Sequence, residues 1–179
     1  MLTAVGPDRV GIVDDIAGAL TADGCNIEQS KMAVLGGEFA VIMLVSGPTG
    51  AVEAMTKSLP ALAGKLGLQV GCTPTHEPRA TEKGRPYHLK AVSLDTPGIV
   101  HSVTAILRRH GVNIEDLETE TAAAPWTGAP MFRLSTHLVV GPSVSIGSLK
   151  AELAHLQQQL DVDIVLKPVF APGSESGEC

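Results

Sequence analysis

Aromatic residues are nearly missing from this chain: Phe, Trp and Tyr together make up 3% of it, with one Trp and one Tyr. A core must therefore be assembled from Val, Ile, Leu, Met and Ala, and the 44% hydrophobic content suffices for a globular protein. Cysteine is scarce as well. Cys25, Cys72 and Cys179 are odd in number and lack any C-x-x-C spacing, which argues against a disulfide framework or a zinc knuckle and suits a reducing cytoplasm. Positive charge is short: 13 Lys and Arg against 19 Asp and Glu leave a net charge of -6 and a pI near 5.4. Direct nucleic-acid binding is not expected, because counterion release from phosphates has little basic surface to work with. No run of about 18 apolar residues occurs, and no charged segment leads into an apolar leader, so neither a membrane span nor secretion is expected.

What the chain does have is a repeat. GIVDDIAGALTADGCNIE (11–28) returns as GIVHSVTAILRRHGVNIE (98–115), an offset of 87 that pairs Gly11 with Gly98, Ile16 with Val103, Leu20 with Leu107, Gly24 with Gly111 and Asn26 with Asn113. Farther on the offset becomes 94, and Val52, Met55, Leu59, Leu62 and Leu66 pair with Ile146, Leu149, Leu153, Leu156 and Leu160. Steps of three and four mark one apolar face of a helix, so each half carries two amphipathic helices. Pro60 falls inside the second of these and is expected to remove one backbone hydrogen bond and kink it; its counterpart is Ala154.

Strands fill the intervals. MAVLGGEFAVIMLV (32–45) is two apolar runs around Gly36-Gly37, a tight hairpin, whereas the second half separates its strands with the longer AAAPWTGAP (122–130). Each half reads β-α-β-β-α-β. The expected fold class is α+β: two ferredoxin-like plaits in tandem, each an antiparallel four-stranded sheet with two helices on one face. The expected organisation is a first domain over 1–75, a linker over 76–86 (HEPRATEKGRP), a second domain over 87–170 and a disordered tail over 171–179 (APGSESGEC). Strand one begins abruptly at Met1, so either the natural start lies upstream or that strand is short.

Val13, Ile16, Leu20 and their partners face the sheet and carry no function. The strand-to-helix junctions are more informative. Asp8 and Asp95 stand just before a helix start, where a carboxylate can cap free N–H groups and complement the helix dipole. Gly11 and Gly98 are placed in the first turn, where Gly costs about 0.5–1 kcal/mol relative to Ala. Such a cost suggests close approach of the neighbouring strand, or of a small ligand whose carboxylate takes the free N–H groups. Asn26 and Asn113 follow the helix-ending glycines. They are either turn residues or amides that read the ammonium and carboxylate of a ligand.

Two plaits that each carry a D-x-x-G-I-V junction (DRVG, DTPG) and an N-I-E strand start resemble tandem ACT domains. GPDRVGIVDDIAGAL, MAVLGGEFAVIMLVSGP, the inserted APWTGAPMF and the closing L-x-x-L-x-x-x-L-D-V-D-I narrow the resemblance, over residues 1 to 170, to the glycine cleavage system transcriptional repressor family. That resemblance implies an amino-acid-sensing regulator that acts on transcription through protein contacts. Its ligand would be glycine or a similar amino acid, lying between the strand-one-to-helix-one junction and the start of strand two, often of a neighbouring ACT unit. Carried over residue by residue, it points to Asp8, Arg9, Gly11 and Asn26, and to Asp95, Thr96, Gly98 and Asn113. Arg9-Val10 stands where the second copy has Thr96-Pro97, so the two sites need not be equivalent. A homodimer and a protein partner, either a transcription factor or an enzyme, are implied too. The alternative is an ACT regulatory subunit of a metabolic enzyme.

No G-x-S-x-G, P-loop or G-x-G-x-x-G is present, and the histidines at 76, 88, 101, 110, 137 and 155 are scattered singly. An enzyme, a cofactor and a metal are therefore not expected. Asp14 and Asp15 diverge by about 100° on a helix and read as a solvated face. Asp116, Glu118 and Glu120 share one face of a strand and are expected to meet Arg133, with Lys90 farther across. Trp126, alone on the inserted turn, is an expected protein contact.

Overall fold

The computed structural model describes residues 1–75, 84–94, 97–124 and 128–169. It divides into two compact units, Met1–Glu77 and Pro78–Cys179. Unit 1 runs β1 (Leu2–Pro7), α1 (Ile12–Ala22), β2 (Asn26–Leu35), β3 (Glu38–Ser46), α2 (Thr49–Leu66), β4 (Gln69–Cys72). Unit 2 repeats the order with β5 (Arg85–Leu94), α3 (Ile99–Arg109), β6 (Asn113–Ala123), β7 (Pro130–Val140), α4 (Ile146–Leu160), β8 (Asp163–Pro168). The sheets are antiparallel with strand orders β2-β3-β1-β4 and β6-β7-β5-β8, the ferredoxin-like plait in duplicate.

Most of the linker proposed for 76–86 lies outside the described residues, but its last two, Arg85 and Pro86, already open β5. The tail proposed for 171–179, and Trp126, also lie outside the described residues.

Alternation decides which sheet face is covered. Leu2 and Ala4 of β1 and Phe39, Val41 and Met43 of β3 point inward and meet Ile12, Ile16 and Leu20 of α1 and Met55, Leu59 and Leu66 of α2. In unit 2 the same layer is Leu89, Ala91, Leu134 and Leu138 against Val103, Leu107, Leu149 and Leu153, all 3% exposed or less. The hairpin glycines do what their pairing demands: Gly36 and Gly37 both take positive φ, 61° and 86°, as a two-residue primed turn requires.

A feature common to both units was not read from the sequence. The pairing of β2 with β3 shifts register between Ile27 and Gln29, and that of β6 with β7 between Ile114 and Asp116. The repeated Glu of N-I-E, Glu28 and Glu115, is thus the extra residue of a β-bulge on an outer strand.

Pro60 does not interrupt α2, which continues through it from Thr49 to Leu66. The missing bond is the one its N–H would give to the carbonyl four residues earlier, at Thr56. Because Pro60 is exposed, Pro60→Ala restores that bond without disturbing the core. It is expected to stabilise the protein by about 1–3 kcal/mol, less what proline contributes by restricting the unfolded chain. Urea titration of both proteins checks this.

Candidate functional site

The first-strand-to-helix junctions are built on glycine for a reason other than crowding. Gly11 is the N-cap of α1 with φ 84°, and Gly98 the N-cap of α3 with φ 98°. Among the described residues, no heavy atom lies within 4 Å of where a Cβ would sit on either. Close approach of the neighbouring strand is therefore not the explanation; left-handed φ is, since a Cβ disfavours it. Neither cap supplies a side-chain hydrogen bond, so the first N–H groups of α1 and α3 have no side-chain acceptor at the N-cap.

This also corrects the role given to Asp8. It is not the cap: it lies three residues ahead of Gly11, and its own N–H donates to the Gly37 carbonyl at 3.0 Å, tying the end of β1 to the β2–β3 turn. Asp95 and Thr96 lie outside the described residues. Arg9 Nη2 reaches Asp15 Oδ2 at 2.5 Å, so Asp15, expected on a purely solvated face, anchors Arg9 across the helix start. Val10, between Arg9 and Gly11, is 99% exposed.

Asn26 and Asn113 are strand residues, the first of β2 and of β6, and neither has positive φ. Asn26 Nδ2 donates to Glu28 Oε1 at 3.0 Å, and the Ser46 hydroxyl donates to the same oxygen. These hydrogen bonds, Ser46 first and Asn26 second, hold the Glu28 carboxyl below its ordinary value.

Within one unit the structure does not bring the two groups of site residues together. Pro7, at the end of β1, pairs with Glu38 at the start of β3, whereas Asn26 pairs with Ser46 at its end. The length of β3 separates them, about 26 Å at 3.3 Å per residue. Unit 2 repeats this: Leu94 pairs with Met131, and Asn113 with Val139.

Asp116, Glu118 and Glu120 of β6 stand opposite three different residues of β7. Glu120 is opposite Arg133, as expected, but Glu118 is opposite Ser135 and Asp116 opposite His137. His137 Nδ1 lies 3.0 Å from both Asp116 carboxylate oxygens, and the His137 backbone N–H donates to Asp116 Oδ1. The His137 ring stacks on His88 at 4.6 Å and 8°, and His88 Nε2 lies 2.7 Å from Ser135 Oγ. One residue from each strand thus forms a row across the open face: Asp116, His137, His88, Lys167. Burial first, then the charges of His137 and Lys90, push the His88 pKa down, against a smaller opposing effect of Asp116.

Between α3 and α4 runs a cleft of about 310 Å³, lined by His101, Arg109, Glu152, His155 and Gln159 over Ile106 and Leu156. Glu152 is engaged by His110 at 2.7 Å and Arg109 at 3.1 Å, and these contacts, His110 first, lower its pKa. Among the described residues no group of three or more His, Cys, Asp or Glu is placed to hold a metal, and no helix is long and apolar enough to cross a membrane.

Residues 1–73 match the family model of the ACT domain. The glycine cleavage system transcriptional repressor of Escherichia coli (strain K12) is 35% identical over 129 residues, covering 69% of this chain. The chain spans 65% of the length of that relative. A crystal structure of a protein of unknown function from Galdieria sulphuraria is 34% identical, covers 94% of this chain and 96% of its own, and superimposes with a TM-score of 0.74. A crystal structure assigned provisionally to a glycine cleavage system transcriptional repressor is 25% identical, with coverages of 95% and 96% and a TM-score of 0.69.

The histidine row carries a pH dependence. His88 is harder to protonate folded than unfolded, so below about 6.5, the ordinary His value, the unfolded chain takes up the proton first. Stability is lost as pH falls from about 6.5 toward the folded value, and above about 6.5 His88 contributes nothing. One such proton lowers the folding constant by up to about tenfold per pH unit. His88→Gln is expected to show a shallower decline between pH 7.5 and 5.5 in urea titrations.

Proposed function

We propose that this chain, which matches the ACT domain over residues 1–73 and resembles the glycine cleavage system transcriptional repressors, senses a small amino acid and regulates through contact with another protein. The observation that carries this reading is the uncapped start of α1 at Gly11. Its first N–H groups and the positive end of the helix dipole form a receptor for a small carboxylate. A zwitterionic amino acid then needs an acceptor for its ammonium group, and Asn26 belongs to the polar cluster that offers one.

Because these two receptors stand at opposite ends of one sheet, the ligand bridges two copies of the chain. β2 is an outer strand whose side chains are exposed along nearly its whole length. Two copies that pair their β2 edges antiparallel bring the Asn26 end of one to the Gly11 end of the other. Asp8, Arg9, Gly11 and Asn26 make up this site. Gly98 and Asn113, with Asp95 and Thr96, are its counterparts in the second copy of the repeat. Ligand held across a dimer shifts its arrangement by the differential affinity for the two states, and the partner reads that shift.

The protein is in this reading a cytoplasmic homodimer, non-enzymatic, without cofactor, that touches neither nucleic acid nor membrane. Its ligand is glycine or a similar amino acid, and its partner is a transcription factor, in keeping with relatives named as transcriptional repressors.

Isothermal titration with glycine and then the other amino acids tests the reading. Saturable binding is expected, with Asn26→Ala weakening it at least tenfold. At about 100 times the dissociation constant the ligand should raise stability by roughly 2.7 kcal/mol in thermal melts and favour the dimer in sedimentation. Absence of binding by every amino acid, with melting unchanged, contradicts it.

A further inference from the structure

The two copies of the repeat keep N-I-E but differ in what surrounds its Glu. In unit 1 Glu28 bulges out of β2, and its Oε1 takes both the Asn26 amide and the Ser46 hydroxyl, leaving Oε2 without a partner among the described residues. The residue opposite Asn26 is Ser46; the residue opposite Asn113 is Val139. Valine has no hydroxyl to give. Glu115 accordingly makes no side-chain hydrogen bond among the described residues, and the carboxylate that follows it, Asp116, is turned to His137. One bulge holds a fixed carboxylate beside its Asn; the other does not.

A carboxylate fixed by two neutral donors stays ionised and presents one oxygen in a known direction. Its natural complement is an alkylammonium group, bound through a charge-assisted hydrogen bond. We propose that Glu28 receives the ammonium group of the ligand, with Asn26 and Ser46 as positioning residues, and that unit 1 is the reading copy of the repeat while unit 2 binds no amino acid at this position. The assignment rests on the amino-acid-sensing reading and adds to it the residue that selects a zwitterion over a plain carboxylic acid. Val139, opposite Asn113 where unit 1 has Ser46 opposite Asn26, is the difference that leaves the second copy without the hydroxyl.

The test is calorimetric titration of the full chain with glycine, and with acetate as the probe that keeps the carboxylate and lacks the ammonium. Wild type is expected to bind glycine and not acetate. Glu28→Gln should weaken glycine binding by roughly 10- to 100-fold, the worth of a hydrogen bond to a charged group; Glu115→Gln should leave it unchanged. Ser46→Val, which copies the unit 2 environment, supplies a readout that mere loss of structure does not. Glycine binding falls as Glu28 is protonated on acidification, and removing the hydroxyl should move that fall to higher pH. Glycine binding by wild type with equal affinity in Glu28→Gln overturns the assignment and leaves the sensing reading standing. Equal loss in Glu115→Gln overturns the choice of unit 1. No binding of any amino acid by wild type overturns both.

Discussion

Everything in this molecule follows from burying aliphatic side chains on one face of each sheet only. Apolar side chains at steps of three and four on two helices cover one face of a four-stranded sheet, and among the described residues no helix of the unit packs on the other face. Each unit therefore keeps an open sheet face and an open outer strand, β2 or β6. Those are the surfaces on which the two copies were free to diverge, and they did. On the open face of unit 1 stand Val5 and Ile42, each nearly half exposed. On that of unit 2 stands the row of Asp116, His137, His88 and Lys167.

The same constraint separates the residues of the candidate site. A helix that crosses back over the sheet begins at one end and delivers the chain to the other, so the Gly of the first junction and the Asn of the next strand cannot meet inside one plait. A ligand that uses both needs a second copy. On the proposed reading the binding event and the assembly event are one equilibrium, and linkage would let ligand concentration set the population that a partner recognises.

The fold was legible in the sequence because both of its signals are periodic and written twice. Helical steps of three and four, alternation in the strands and Gly36-Gly37 each fix a local choice, and for the helices and strands the duplication confirms the choice against the other copy. The site was legible only in part. Gly11 and Gly98 could be marked as unusual, yet the reason, left-handed φ at an N-cap with open space around it, depends on dihedral angles that composition does not reveal. Asp8 resembled a cap because Asp commonly caps; its backbone was needed by the Gly37 carbonyl instead. Glu28 was passed over although it is repeated, since a bulge is a property of pairing between strands and Ser46 lies 18 residues away. The histidines looked scattered for the same reason: His88 and His137 meet only through register.

The central claim is that the Gly11 junction of one chain and Asn26 of another complete a single site. Mixing two separately inactive chains tests it most directly. In Asn26→Ala the amide is lost; in Val10→Glu, a change at a residue 99% exposed, a carboxylate competes for the helix start. Neither alone should bind glycine well. In a re-equilibrated mixture, half of the dimers pair the two variants, and each of those has one intact site, so the account predicts recovery of about a quarter of the wild-type binding capacity at wild-type affinity. A mixture that binds no better than its separate components would contradict it.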